Sequence, residues 1–333
     1  MIDITAQDVA FHWPLAMPLR LVPIAKGTNN QSYLVELDAG SYVLKVHSNR
    51  PVAERLAFEQ ELLVFLSMSH LPFAVPVSIQ TRLGEASVQI DDVRASLSRL
   101  IPGQTPTCGS VSEAYRCGEA LATLDIALQA MMFSPAIRVP ETFGDLSSVH
   151  PLISDPIKSM YQVIGRDALT DGLAVAMMAL QEQWRRQTSG WTTQIIHSDF
   201  YPTNVLMDSG GITGILDFEF AGSGYRAMDF AIGLFAFGVG NWEHDQPWLV
   251  LESFANGYLG RVPLTDDEIA ATPMFIRMRE LTSFVHWLGR IELGLTVATE
   301  GRTRACKVVA VERWLHQNER QLIYRLFRIT SER

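Results

Sequence analysis

The chain has 333 residues, of which 47% are hydrophobic and 19% are charged, and its formal net charge is −9. This length predicts about two domains, or one large domain with two lobes, and the composition excludes a disordered chain. The acidic balance argues against an extended nucleic-acid-binding surface, which requires surplus positive charge. The three cysteines, Cys108, Cys117 and Cys306, form no C-x-x-C or Cys/His pattern, which disfavours both a disulfide scaffold and a structural zinc site.

No segment of the sequence has the pattern of a signal peptide or of a membrane span. The longest apolar run, residues 230–240, is much shorter than the roughly 20 residues that a helix needs to cross a bilayer. Residues 1–11 lack a basic stretch followed by an apolar one. We therefore expect a cytoplasmic protein that binds neither membrane nor nucleic acid, and the sequence leaves its oligomeric state open.

The first hundred residues are predicted to form strands with one helix among them. Leu and Phe recur at helical spacing over residues 52–69, which predicts the helix. The Asp-Ala-Gly turn at 38–40 lies between two alternating segments and predicts an antiparallel hairpin. Short segments rich in Val, Ile and Tyr predict strands at 21–25, 32–37, 41–47, 86–90 and 95–100.

The rest of the chain is predicted to be mostly helical. A segment that contains Pro and Gly, at 101–106, predicts a hinge. Helices are then expected at 110–128, at 168–186 and from 247 to the end, with a strand-rich stretch at 194–220 between them. The final segment is basic, and we interpret it as a docked helix whose apolar side contains Val308, Val311, Leu315, Leu322 and Leu326.

Two short motifs lie in the strand-rich stretch. The first, H-x-D-x-x-x-x-N, consists of His197, Asp199 and Asn204, and the second places Asp217 at the end of a β-like segment. Phosphoryl transfer needs a group that accepts the proton of an attacking hydroxyl, and oxygen ligands that hold Mg²⁺ against the phosphates. Asp199 suits the first role, and Asn204 and Asp217 suit the second. Any one of these residues alone would more often be structural, but the four at this spacing favour a kinase.

This stretch resembles the catalytic loop of the kinase-like small-molecule phosphotransferases, which include aminoglycoside phosphotransferases, choline kinases and type II homoserine kinases. Their loop typically reads H-G-D-x-x-x-x-N and then [IL]-D-[FW], and here the letters are H-S-D-F-Y-P-T-N and L-D-F, with Ser198 in place of Gly. The resemblance implies an α+β, protein-kinase-like fold with two lobes. A small β-rich lobe at 1–100 would bind nucleotide, and a larger, mostly helical lobe at 101–333 would carry the catalytic loop and the acceptor site.

The resemblance also implies which residues bind ATP. Lys45 stands where the family has a strand lysine that reaches the phosphates, and Glu59, with Glu61 as an alternative, would orient it. A turn with a single glycine would cover the phosphates, although it is not a G-x-G-x-x-G loop, and adenine would bind the backbone near the hinge. The implied nucleotide-binding residues are Lys45, Glu59, Gly27, Asn30, Ser32, Arg99, Leu100 and Ile101.

The acceptor is expected to be a small molecule. No Arg precedes Asp199 and no A-P-E motif follows Asp217, which argues against a eukaryotic-type protein kinase. Many acceptors in the family carry a cationic amine, and Glu219 is a candidate to bind it. An equally weighted alternative is that Glu219 is a hairpin residue that faces solvent. Arg279 could bind an acceptor carboxylate through two hydrogen bonds. His286 lies on the same predicted helix and could also line the acceptor pocket. The alternative is an amphipathic helix whose arginines face water.

Three further residues are expected to support the loop or to mark a subgroup. Asp229 matches the family's aspartate that opens a helix after the metal-binding aspartate, and His197 is expected to brace the backbone near Asp217. Asp125 stands where many members have His, and this form resembles the hydroxylysine-kinase-like members, which points to an acceptor resembling an amino acid. The sequence therefore predicts an ATP- and Mg²⁺-dependent kinase acting on a hydroxyl of an amino acid or amino alcohol. An aminoglycoside-type phosphotransferase and a nucleotide-binding pseudokinase remain alternatives.

Overall fold

The structure, a computed structural model, describes residues 4–24, 30–47, 53–133, 137–187, 190–239 and 247–332. The chain forms two compact units. The first comprises Met1–Pro106, Ala127–Pro140 and Pro202–Ala221, and the second comprises Thr107–Ile126, Glu141–Tyr201 and Gly222–Arg333. The assignment of nucleotide binding to residues 1–100 and of the acceptor site to 101–333 stays a prediction.

The first unit contains a five-stranded antiparallel sheet and two helices. Its elements are α1 (Ala6–His12), β1 (Arg20–Pro23), β2 (Asn30–Leu37), β3 (Gly40–His47), α2 (Ala53–Met68), β4 (Val88–Ile90) and β5 (Val93–Arg99). The strands pair in the order β1-β2-β3-β5-β4. The predicted hairpin is confirmed, since β2 and β3 pair up to Leu37 and Gly40, and the helix predicted at 52–69 is confirmed as α2. β5 starts at Val93, before its predicted start, because Val93 pairs with Ile90 of β4.

The two faces of this sheet differ in polarity because successive strand residues point to opposite sides. The apolar face lies against α1 and the segment after it, in a core that includes Val9, Trp13, Tyr42, Leu44 and Val46. Lys45 falls between two of these core residues, so its side chain lies on the other face. Ser32 of β2 is its direct neighbour across the strand pair. The strand period therefore places the candidate phosphate-binding side chains together on the polar face.

A second hairpin in the first unit holds the segments of Asn204 and Asp217 together. β7 (Val205–Asp208) follows a 3₁₀ turn at Pro202–Asn204 and pairs antiparallel with β8 (Gly211–Ile215). The carbonyl of Asn204 accepts a hydrogen bond from the amide of Leu216 (2.8 Å). Because Asn204 ends the turn and Asp217 directly follows Leu216, this bond brings the two predicted metal ligands to the same end of the hairpin.

The second unit consists mainly of helices. They are most of α3 (Val111–Gln129), then α4 (Pro156–Ile164), α5 (Ala168–Arg186), α6 (Arg226–Gly238), α7 (Pro247–Leu259), α8 (Asp266–Ala270), α9 (Thr272–Glu292) and α10 (Ala298–Ser331). Two short strands, β6 (Thr193–Ile196) and β9 (Gly222–Tyr225), pair antiparallel. The helices predicted at 110–128 and 168–186 are confirmed as α3 and α5.

Helix α6 lies at the centre of the second unit, where Ala227 and every later residue of the helix are buried. Aromatic rings of α6 and α7 pack together there; those of Phe237 and Phe254 stack at 5.3 Å. The predicted apolar side of α10 is confirmed, since all five of its residues are buried. Basic residues of α10 pair with acidic residues of other helices, as Arg325 does with Glu252, which supports the interpretation as a docked helix. Within the described ranges, no helix has the length and apolar character needed to span a bilayer.

Candidate active site

Lys45 lies among three carboxylates in the first unit. Its ammonium nitrogen is 3.0 Å from Oδ1 of Asp217, 3.6 Å from Oε2 of Glu219 and 3.8 Å from Oε1 of Glu59. Burial disfavours the charge on Lys45, but the three carboxylates more than offset this and raise the pKa of the lysine above its ordinary value. Lys45 is therefore a fixed positive charge at neutral pH, and the structure brings it together with the predicted partner Glu59.

Helix α2 supplies Glu59 and a second residue that the sequence analysis missed. Glu59 is buried, and burial raises the pKa of its carboxyl group, while the charge of Lys45 acts in the opposite direction. One turn earlier on the same helix face, Arg55 donates from Nε to the carbonyl of Glu219 (2.8 Å). The position of Arg55 four residues before Glu59 is the signal that could have identified it, because residues at this spacing share a helix face.

The segment from Asp217 to Glu219 is held in an unusual conformation. Asp217 has φ +63°, in the left-handed region that non-glycine residues seldom adopt, and 36% of its side chain is exposed. Such strain persists where the surrounding structure fixes it, and it is frequent at functional sites. Glu219 accepts a hydrogen bond from the side-chain amide of Asn30, which links β2 to the Lys45 cluster.

The predicted nucleotide-binding segments lie in the same unit, although Gly27 falls outside the described residues. Ser32 lies opposite Lys45 in the strand register. Of the hinge candidates, Arg99 is the last residue of β5, and Leu100 and Ile101 follow it. The amide of Leu100 already donates to the carbonyl of Ser41 (3.0 Å), so adenine would have to use other backbone groups of this segment.

In the second unit, the segment after β6 is anchored by Asp229 of α6. The two oxygens of Asp229 accept the backbone N–H groups of His197 and Ser198, each at 2.6 Å. The amide of Asp199 donates to Nδ1 of His197 (3.2 Å). Ser198 has φ +62°, which explains why glycine is the usual residue at this position of the motif. Together these contacts fix the backbone on which Asp199 is carried.

The side chain of Asp199 forms an ion pair with Arg279 of α9, 2.5 Å between Oδ1 and Nη2. Burial disfavours the guanidinium charge, but the nearby Tyr201, Asp199 and Glu280 raise the pKa of Arg279 above its ordinary value. The Nε atom of Arg279 is buried and has no hydrogen-bond partner among the described residues. The guanidinium also lies over the ring of Tyr201, 5.3 Å from its centroid. Arg279 is thus a permanently charged group with an unused donor beside Asp199.

Other residues of α9 surround this ion pair. Glu280 accepts the hydroxyl of Tyr201 (3.3 Å) and pairs with Lys307 of α10 (3.3 Å). His286 packs edge-on against His150, with 6.0 Å between the ring centroids. Burial, with the positive charges nearby, lowers the pKa of His286 to about 4, so this ring is neutral at physiological pH. The sequence analysis missed Tyr201 and Glu280, although Tyr201 lies within the motif and Glu280 directly follows Arg279.

Comparison with known proteins identifies the family to which this chain belongs. The family model described as the phosphotransferase enzyme family matches residues 20–269. This chain belongs to that family. It is a small-molecule phosphotransferase with an alcohol group as acceptor. The β-rich N-terminal region and helical C-terminal part have the protein-kinase-like fold that the sequence predicted.

Three relatives show what the chain resembles. It is 29% identical to a homoserine kinase of Caulobacter vibrioides over 290 residues, 85% of this chain and 86% of that one. A microcompartment-associated aminopropanol kinase superposes with a TM-score of 0.74 at 21% identity, covering 94% of this chain and 97% of that one. An amicoumacin kinase, solved with AMP-PNP and Ca²⁺, superposes with a TM-score of 0.71 at 16% identity, covering 92% of each chain.

Proposed function

We propose that this protein transfers the γ-phosphoryl group of ATP to the hydroxyl of a small amino acid or amino alcohol, with homoserine as the first candidate. The observation that carries the proposal is the ion pair of Asp199 with the buried Arg279 on a backbone fixed by Asp229. It combines a carboxylate suited to a hydroxyl proton with a cation suited to an acceptor carboxylate. The homoserine kinases among the relatives support the same acceptor class.

In this proposal the Lys45 cluster binds the nucleotide. Lys45 would exchange part of its contact with Asp217 and Glu219 for phosphate oxygens, while Glu59 keeps it oriented from α2. Asn30 and Ser32, which lie on the same sheet face, would contact the phosphates as well. The contacts of Glu219 with Lys45 and Asn30 favour this nucleotide-side role over a contact with the acceptor amine.

The donor set at the end of the β7–β8 hairpin fits Mg²⁺. Asp217 offers a partly exposed carboxylate and Asn204 an amide oxygen, and both are hard oxygen ligands of the kind that Mg²⁺ prefers. Among the described residues, no group of three or more His, Cys, Asp or Glu side chains is arranged to hold a metal alone. A few protein ligands are what Mg²⁺ needs when phosphates and water complete its coordination. When bound, the ion would neutralise phosphate charge.

Asp199 is proposed to accept the proton of the acceptor hydroxyl. The oxygen–phosphorus bond forms as the bond to the ADP leaving oxygen breaks, and the proton passes to the carboxylate of Asp199. Arg279 pairs with that carboxylate and, with its unused Nε donor, could also bind the carboxylate of an amino-acid acceptor. The neutral His286, which also lies on α9, would supply a hydrogen-bonding group on the acceptor side.

A matched pair of acceptors tests this proposal. Homoserine and 3-aminopropan-1-ol differ only in the carboxylate, so their kcat/KM ratio measures what the protein gains from that group. We expect the wild-type protein to prefer homoserine by about 10- to 100-fold, the range for a charge-assisted contact. Arg279→Met should remove most of this preference, while the exposed-surface control Arg185→Met should keep it.

Other outcomes would redirect the proposal. Equal use of both acceptors by the wild-type protein would assign the site to amino alcohols and would exclude the carboxylate contact of Arg279. Phosphorylation of an aminoglycoside alone would support the aminoglycoside-type alternative. Nucleotide binding without transfer to any hydroxylated acceptor would contradict the proposed activity.

A further inference from the structure

Two aspartates form a buried pair in the second unit that the proposed reaction does not use directly. Asp125 of α3 is 1% exposed and Asp229 of α6 is 0% exposed. Each carboxyl group lies close enough to the other for its charge to act on it. Asp229 is the residue that holds the backbone N–H groups of His197 and Ser198, so the pair lies directly behind the loop that carries Asp199.

One oxygen of this pair is buried without a hydrogen-bond donor among the described residues. Oδ2 of Asp125 accepts the hydroxyl of Tyr258 (2.6 Å). Oδ1 of Asp125 is buried and has no N–H or O–H donor among the described residues. Two ionised carboxylates are both pure acceptors and repel each other, whereas a protonated carboxyl group can donate to an ionised one. A proton on one of the two acids would remove this repulsion and satisfy the unpartnered oxygen.

The partners of each acid indicate where the proton resides. Both oxygens of Asp229 already accept short backbone hydrogen bonds, and these favour its ionised form. Asp125 accepts only one hydrogen bond through its side chain, so its other oxygen can carry the proton. Burial, together with the negative charge of Asp229, raises the pKa of Asp125 well above its usual range.

We infer that Asp125 is held as a neutral carboxylic acid that donates a hydrogen bond to ionised Asp229 and thereby fixes the loop backbone at His197 and Ser198. Asp125 is then a positioning residue for Asp199. The inference rests on the proposed function only for what the loop does, because the protonation state of Asp125 can be measured without any activity.

The surrounding groups would make the pair sensitive to alkaline pH. The titratable and charged groups that face it are Tyr258 from α7, His197 from the loop and Arg226 from the start of α6. Arg226 is already paired with Glu268, at 2.9 Å between Nη2 and Oε2. Deprotonation of Asp125 would therefore leave two adjacent negative charges with little compensation. The hydrogen bonds from His197 and Ser198 to Asp229 would then weaken.

Infrared spectroscopy tests the shared proton directly. The difference spectrum between the wild-type protein and Asp125→Asn at pH 7 should contain the carbonyl stretch of a protonated carboxylic acid. Asp167→Asn, which removes a partly exposed carboxylate paired with Arg302, should give no such band. Absence of the band from the Asp125→Asn difference would overturn the inference, whether or not the protein proves to be a kinase.

Kinetics then test the positioning role. Asparagine can reproduce the donor and acceptor of a neutral aspartic acid, so Asp125→Asn should restore most of the kcat that Asp125→Ala loses. We expect Asp125→Ala and Asp229→Asn to lower kcat by about 10- to 100-fold, as for the loss of charge-assisted hydrogen bonds. The alkaline fall in kcat of the wild-type protein should be weaker in Asp125→Asn. An Asp125→Asn variant as impaired as Asp125→Ala, or with an unchanged alkaline limb, would contradict the positioning role.

Discussion

Nη2 of Arg279 lies 2.5 Å from Oδ1 of Asp199, which joins α9 to the loop after β6. The carboxylate proposed to accept the hydroxyl proton is therefore paired with a cation before any acceptor arrives. A guanidinium carries five N–H donors, so Arg279 retains donors for a second anion. One contact thus connects the proposed base with the choice of acceptor.

The Lys45 cluster should control nucleotide affinity. Lys45→Met is expected to weaken ATP binding by about 10- to 100-fold because it removes a charge-assisted contact to phosphate. Asp217→Ala should abolish the Mg²⁺ dependence of binding, since it removes a proposed metal ligand. Titration calorimetry with and without Mg²⁺ measures both effects, with Lys158→Met on the exposed surface of α4 as the control. Unchanged affinity in Lys45→Met would exclude the phosphate contact.

Relief of backbone strain should stabilise the protein at Ser198. Its φ of +62° is unfavourable for a residue with a Cβ atom, so Ser198→Gly is expected to raise the free energy of unfolding by about 1 kcal/mol. Because H-G-D is the usual form of the motif, the variant should remain active. Chemical denaturation measures the gain, and His70→Gly, at an exposed position with φ +51°, is the matched control. A loss of stability at Ser198 alone would show that its side-chain contacts outweigh the strain.

Two glycines should be essential where α3 and α7 pack together. A Cβ atom on Gly118 would clash with the carbonyl of Phe254, and one on Gly257 would clash with the carbonyl of Tyr115. Each Gly→Ala substitution is therefore expected to lower the free energy of unfolding by about 1–3 kcal/mol. On α5, Gly172 has open space around it, and Gly172→Ala should instead stabilise the protein by about 0.5–1 kcal/mol. Equal effects at Gly118 and Gly172 would be inconsistent with the close helix packing.

Stability should decrease in acid partly through His47. Burial lowers the pKa of His47 from 6.5 to about 4, with the charges of Lys45 and Arg94 acting in the same direction. The folded state therefore favours the neutral ring, and this contribution is complete above about pH 6.5 and is lost as the pH falls towards 4. Between pH 6.5 and 4, the free energy of unfolding should fall by about 1–3 kcal/mol less in His47→Gln than in the wild-type protein. His316→Gln, on the exposed surface of α10, should behave like the wild-type protein. Parallel stability profiles for wild type and His47→Gln would contradict this account.

The sequence predicted the elements and motif positions because these depend on local patterns. Residue composition predicted the strand that carries Lys45, and the helical period identified the buried side of α10. The contacts of Arg55 with the Glu219 segment and of Asp125 with Asp229 were not predicted. Both join residues that are far apart in the chain, and no local sequence pattern encodes such long-range pairing. The sequence offered Glu219 either as a candidate for the acceptor amine or as a solvent-facing hairpin residue, because its contacts with Lys45 and Asn30 are equally long-range.

Phosphate transfer from γ-labelled ATP to homoserine is the most direct test of the central claim. We expect labelled phosphohomoserine from the wild-type protein and from the control Asp208→Asn, which changes an exposed turn carboxylate. Asp199→Asn should bind ATP with similar affinity but transfer phosphate about 10²- to 10⁴-fold more slowly, the range for general-base catalysis. Equal transfer by Asp199→Asn and the wild-type protein would contradict the role of Asp199, and ATP binding without transfer to any hydroxylated acceptor would contradict the proposed function itself.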